Sequence, residues 1–338
     1  MINLDEMKKE DIVKLGELLK ENNWLYEYID TKRLPFNTIT EKITQLAKVY
    51  KNPYEIKNIQ NPSDELISLA VRNNVNVIRF IDNIPDDILM EAVDEHPYVV
   101  QYLNEASENL YLRAVDINGY AIAHIKNPSE ELQLLAVDKN GNVIKYIDNP
   151  SEKVQIRAVT RSGLSIGYIK NPSDTVKKVA INNSPKAIKY IENPSDELKL
   201  LALYKDGYAI KYIDNPTEKM KLVAIQTTPL SIKFIKNPTD FMKLAAVRQN
   251  PFAIQYIENQ PEDIIKVAIS LNYYTIKYIN NPSEEVKLEA VRDNGYSIQY
   301  IENPSEEIKL EAIKQNRLAI KYIENPTEEM KKIANQNK

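Results

Sequence analysis

Apolar and polar positions along this chain repeat every 22 residues. Ala70, Ala92, Ala114, Ala136, Ala158, Ala180, Ala202, Ala224, Ala246, Ala268, Ala290, Ala312 and Ala334 are each 22 residues from the next, with no insertion between them. The same phrase surrounds each alanine. It reads NPSEEIKLEAIKQNRLAIKYI over residues 303–323 and returns from Asn281, Asn215, Asn193, Asn171 and Asn149. A fixed period in the twenties marks an array of stacked supersecondary units.

The pattern predicts two short helices per copy. Ile210 and Ile213 are three apart, which places them on one face of a helix over residues 208–213. A break follows at Asp214. Asn215, Pro216 and Glu218 then read as N-cap, first helical residue and capping-box acid of a second helix. Asn61, Asn127, Asn171, Asn281 and Asn325 repeat the arrangement. The second helix is expected to bury Met220, Val223, Ala224 and Ile225. It stops near Asn140, Asp206 and Asn294, where Gly141, Gly207 and Gly295 are expected to supply a left-handed residue. Pro97, Pro185, Pro229 and Pro251 end the helix by another route. Helices this short are unstable alone. Stacked neighbours bury what one copy cannot, and the repeating alanine is read as the small residue that lets them approach.

The reading is all-α: a right-handed αα-solenoid of about fourteen 22-residue helix pairs with degenerate terminal caps. Residues 1–60 form degenerate N-terminal capping repeats, and residues 61–338 form the regular array as one continuous solenoid. Asn3 and Glu6 open the first cap, Ile12, Leu15, Leu18 and Leu19 give it an apolar stripe, and Trp24 is assigned to its core. A loop over residues 30–37 contains Pro35, a helix follows over 38–51, and residues 52–59 match 250–257. Three linkers depart from the phrase, at residues 83–85, 104–106 and 259–261, and are expected to alter the local stacking.

Composition narrows the function classes. The 338 residues hold 44 Lys and Arg against 48 Asp and Glu, intermixed, for a net charge of −4. No basic tail points to nucleic acid or membrane. The chain has no cysteine, so disulfides and thiolate-bound metals are excluded and a cytoplasmic setting is favoured. No apolar run is long enough to span a membrane, and the first residues are too charged for a signal peptide. The wealth of Asn, Lys, Ile and Tyr hints at an AT-rich genome, that of a low-GC bacterium or its phage.

The core Ala-Val-x-x-Asn-Gly-x-x-Ile-x-Tyr stands at residues 136–146 and 290–300, with His124 in place of the tyrosine at 114–124. It is similar to a family of short repeats, of unknown function, in bacterial, protist and large-virus proteins. Its helix pairs resemble compact versions of HEAT and armadillo solenoids. The resemblance implies a binding scaffold and carries no catalytic residues.

Candidate chemistry is sparse. Gly163-Leu-Ser-Ile-Gly167 matches a nucleophile-elbow pattern, but it occupies the helix phrase and lacks the strand–turn–helix setting. His96 and His124 have no matching carboxylates, and His124 is expected to pack in the tyrosine's place. We assign no catalytic, cofactor-binding or metal-binding residue and expect no enzyme. Eleven aromatics, from Phe80 to Tyr322, recur ten residues after the alanine and are read as core with hydroxyls at an edge. Their sharper reading is a stacking track for single-stranded nucleic acid. Lysines 177, 199, 221, 243, 287, 309 and 331 each follow an acid by three and are read as a locally neutralised, solvated face. The informative positions vary between copies, two and six residues after the alanine. There Tyr204, Tyr208, Arg248, Phe252, Tyr274, Arg292 and Tyr296 form the expected partner-binding patch, part of it shared with inter-repeat packing. The expected function is a protein-binding scaffold or inhibitor acting by occlusion or tethering. The alternative is a nucleic-acid-binding solenoid using the lysine and tyrosine ladders.

Overall fold

The computed structural model describes residues 2, 7–22, 25, 27, 29, 38–103 and 105–335. Trp24, the Asn3–Glu6 box, the loop over 30–37 and Asn104 lie outside them. The chain divides into two compact units, Met1–Asn171 and Pro172–Lys338. The first holds α1 (Lys9–Glu21), α2 (Thr38–Lys51), α3 (Asp64–Asn73), α4 (Asp86–Glu95), α5 (Glu108–Ile117), α6 (Glu130–Lys139) and α7 (Glu152–Arg161). The second holds α8 (Asp174–Asn183), α9 (Asp196–Lys205), α10 (Glu218–Thr227), α11 (Asp240–Gln249), α12 (Glu262–Leu271), α13 (Glu284–Asp293), α14 (Glu306–Gln315) and α15 (Glu328–Asn335). From α2 onward each of α2–α14 is followed by a six-residue 3-10 helix, such as Gly207–Tyr212. In each unit helix pairs pack on their neighbours in sequence order, and the described residues form an all-α repeat array. An isolated bridge joins Ile2 and Ile29.

The alanines from Ala70 to Ala312 are all buried, as are Met220, Val223, Ala224 and Ile225. Two local readings need correction. Asn215 does not cap the helix. It adopts φ 48°, as the equivalent asparagines do at φ 45–55°. Asparagine is one of the few residues that takes the left-handed region at modest cost. The turn it makes hands the cap to the residue after the proline: Thr217 accepts from the Met220 N–H at 3.3 Å, and Ser129, Ser195, Ser283 and Thr239 cap in the same way. The acids therefore stand at the first helical position, where the helix dipole favours negative charge.

The glycines are not left-handed either; no glycine has positive φ. Gly207 begins a 3-10 helix. A Cβ there would lie 2.1 Å from the Ala224 carbonyl oxygen, and one on Gly141 2.4 Å from that of Ala158. Close approach, not a turn, is what requires glycine. The turn belongs to the preceding residue, which is extended whether Gly or Pro follows: Asp206 at φ −153° and Ser184 at φ −143°. Its side chain caps the 3-10 helix where it can, Asp206 accepting from the Tyr208 N–H at 2.9 Å.

Neighbouring α-helices are tied on their outer side by ion pairs. Arg72–Glu91 (2.9 Å), Arg113–Asp94 (2.7 Å), Lys139–Asp116 (2.6 Å) and Arg161–Asp138 (2.9 Å) do so in the first unit. Lys178–Glu197 (2.8 Å), Lys266–Glu285 (2.8 Å) and Arg292–Glu311 (3.7 Å) do so in the second. Of the irregular linkers, 259–261 has a compensating residue. The Gln260 amide donates to the Ile254 and Tyr278 carbonyls and accepts from the Asn280 N–H, so it stitches two repeats together.

Candidate binding surface

Three residues per turn decide which side chains of a 3-10 helix point inward. In Gly207–Tyr212 the buried residues are Gly207, Ala209 and Ile210, with Ile213 just beyond. Lys211 and Tyr212 are left on the outer side. The recurrent aromatics are therefore not core. Phe80, Tyr146 and Tyr168 in the first unit are exposed, as are Tyr190, Tyr256 and Tyr322 in the second; Tyr102, Tyr212, Phe234, Tyr278 and Tyr300 are half-buried. A ring repeated in every copy fits a core as well as a surface ladder, and here the rings pack on one another at the surface.

That packing is regular. Each ring meets the aromatic 26 residues earlier where one exists. In the first unit Tyr54–Phe80, Tyr98–His124 and Tyr120–Tyr146 meet edge-on at 6.0, 5.8 and 6.1 Å. In the second, Tyr208–Phe234, Phe252–Tyr278 and Tyr296–Tyr322 do so at 5.9, 6.2 and 6.0 Å, and Tyr274 meets Tyr300 at 5.3 Å. Cations sit over the same rings. Arg79 serves Phe80 and Tyr102, Lys145 serves Tyr146 and Tyr168, and Lys189 serves Tyr190 and Tyr212. Lys233 reaches Tyr208, Phe234 and Tyr256, at 5.0, 4.9 and 5.4 Å. Hydrogen bonding to the neighbouring phenols holds Lys145 and Lys189 above the ordinary lysine pKa. Tyr273 stacks on Tyr274 at 4.4 Å, and its hydrogen bond to that residue, with burial, raises it to about 12.

The seven expected contact residues separate into two groups. Tyr208, Phe252, Tyr274 and Tyr296 belong to the aromatic ladder just described. Tyr204, Arg248 and Arg292 stand exposed on α9, α11 and α13. The position six residues after the alanine also has a structural duty in the first unit. The Tyr98 and Tyr120 hydroxyls accept from the amides of Asn118 and Asn140, which in turn cap the next 3-10 helix.

The lysines that follow an acid by three are paired as expected, Lys221 with Glu218 at 2.7 Å and Lys243 with Asp240 at 2.9 Å. Most of them are partly covered rather than solvated, Lys331 at 49% exposure being the exception. The Lys243 side chain is 13% exposed, and lies in a cleft between linkers with Phe234, Asn237 and Tyr256. A similar cleft of 680 Å³ opens between residues 78–86 on one side and Tyr102, Leu103 and residues 105–107 on the other.

Ser165 has no room to act as a nucleophile. It is fully buried within the 3-10 helix Gly163–Tyr168, and its hydroxyl donates to Asn142 Oδ1 at 2.9 Å. His124 takes the tyrosine's place against Tyr98. Among the described residues no three His, Cys, Asp or Glu converge as metal ligands, and no helix is long and apolar enough to cross a membrane. Comparison with family models, with curated proteins and with solved structures finds no match to this chain.

Proposed function

We propose that this chain is a non-enzymatic protein-binding scaffold that occludes or tethers its partner along the 3-10 helices. The observation that carries this reading is the surface aromatic ladder. Each ring is partly exposed, and most are pinned by a neighbouring ring or by a cation. Rings fixed in this way lose little side-chain entropy on binding, which is why rigid aromatics serve as interface anchors.

Charge favours a protein over a nucleic acid. Both signs occur along the ladder: exposed acids follow several rings by two residues, at Glu192, Asp214, Glu258, Glu302 and Glu324, and exposed lysines precede rings at Lys189, Lys211 and Lys321. A phosphate backbone would meet both signs, whereas a mixed-charge protein surface complements both. The nucleic-acid reading retains one supporting observation, that the tyrosines are at the surface. Yet several ring faces that bases would stack on already carry a lysine.

The test is capture from source-cell lysate on the tagged chain, with and without nuclease, read by mass spectrometry. A protein retained in both arms is the expected result. A catch lost with nuclease replaces this reading with the nucleic-acid one.

A further inference from the structure

The outer side of the second unit has a gap in its ion pairs. Among the described residues, none links α9 to α10, α10 to α11, or α11 to α12, although flanking helices are linked. Apolar residues fill several of the vacated positions, while Lys219, Gln226, Arg248 and Asp263 stand at others. The register that sets Arg72 against Glu91 sets Tyr204 against Val223, and the register of Lys178 with Glu197 sets Leu222 against Phe241. Tyr204 and Phe241 are 60% and 69% exposed, more than any other large apolar side chain among the described residues.

On α9–α11 the charges left without an ion pair among the described residues have one sign. Lys205, Lys219 and Arg248 are exposed and make no ion pair among the described residues. The first-turn acids of the same helices are already engaged: Asp196 with Lys199, Glu197 with Lys178, Glu218 with Lys221, and Asp240 with Lys243. We propose that α9–α11 form a second docking surface, separate from the aromatic ladder, for an acidic amphipathic helix of a partner protein. Its apolar stripe would cover Tyr204, Leu222 and Phe241, and its carboxylates would meet Lys205, Lys219 and Arg248. A second copy fits less well, because it would bring the same cations against these. The separate location also lets this surface fail while the ladder stands, or the reverse.

The experiment is fluorescence anisotropy of the full chain with two labelled helical peptides of about sixteen residues. Both carry Leu and Phe at i, i+3, i+4 and i+7. One carries Glu on the flanks and the other Lys. The acidic peptide is expected to bind saturably, at least about tenfold more tightly than the basic one. Tyr204→Ser with Phe241→Ser removes saturable binding, and Lys205→Glu with Lys219→Glu and Arg248→Glu reverses the preference. Tyr190→Ser with Tyr256→Ser, in the ladder, leaves binding unchanged, and circular dichroism checks that every variant is folded. Equal binding of the two peptides, no saturable binding, or binding that survives loss of Tyr204 and Phe241 overturns the proposal. So does a dimer in sedimentation that Tyr204→Ser disrupts, which would assign the patch to a second copy.

Discussion

Single residues show how little room the repeat leaves. Gly207 is fixed by the Ala224 carbonyl 2.1 Å from where its Cβ would be. Gly207→Ala is therefore expected to cost about 1–3 kcal/mol through overpacking. Gly119→Ala, where the nearest atoms are at 3.0 Å, costs less. Urea unfolding of the two variants checks the order. Ser231 gives a prediction of the opposite sign. It is fully buried and its hydroxyl makes no hydrogen bond. Equivalent positions hold Ala187, Ala209 and Ala253, all buried. Ser231→Ala should raise stability by about 1 kcal/mol, because an unsatisfied buried hydroxyl carries a desolvation penalty. At this scale the sequence was read unevenly. The buried alanines and the acid–lysine pairs were legible, since period and i, i+3 spacing are one-dimensional facts. The reason for the glycines was not, because the atom that excludes a Cβ lies 17 residues away, as Ala224 does from Gly207.

Elements were legible as a helix pair but not by type. Six-residue segments with isoleucines three apart fit an α-turn or a 3-10 helix equally, and the structure chooses 3-10. The choice of cap was also misread, because Asn-Pro-Ser offers two capping side chains in three residues. The difference is testable. Thr239→Ala should cost about 1 kcal/mol by loss of its bond to the Met242 N–H. Asn237→Gly should be nearly neutral and Asn237→Ala destabilising, since Asn237 is at φ 50°. A capping role for Asn237 would instead make Thr239→Ala silent in thermal unfolding.

The outer ion pairs set the pH dependence of the same elements. Asp116 is held below its ordinary 3.8 by its hydrogen bond with Lys139. Glu285 is held below 4.5 by Lys266, Glu284 by Lys287 and Glu130 by Ser151. A carboxylate with a lowered folded-state pKa stabilises fully above its unfolded value and loses that contribution as pH falls through the folded one. Melting temperature should thus hold level above about pH 5 and fall below about pH 4. The pairs are exposed, so the fall should shrink at high salt.

At the scale of the molecule, the repeat array itself was read from the 22-residue period alone. The surface was not. Repetition of the aromatics alone does not separate core from surface; it reflects a ladder in which many rings touch the aromatic 26 residues earlier. The expected patch draws on two kinds of element, because positions two and six after the alanine are neighbours in sequence but fall on an α-helix and a 3-10 helix. The mixed charge beside the ladder carries its own prediction. Partner binding there should weaken only modestly between 50 and 200 mM salt, whereas phosphate contacts would lose affinity steeply, roughly a thousandfold or more over that range for an extended site.

The most direct test of the ladder as the binding surface is the affinity of the captured partner for the wild-type chain and for Tyr190→Ser/Tyr256→Ser, by isothermal titration calorimetry. These rings are exposed and make no ring–ring contact among the described residues, so the fold should not change. Loss of affinity by about tenfold or more, with unchanged melting temperature, is the result the account predicts. Equal affinity for the two chains would contradict it.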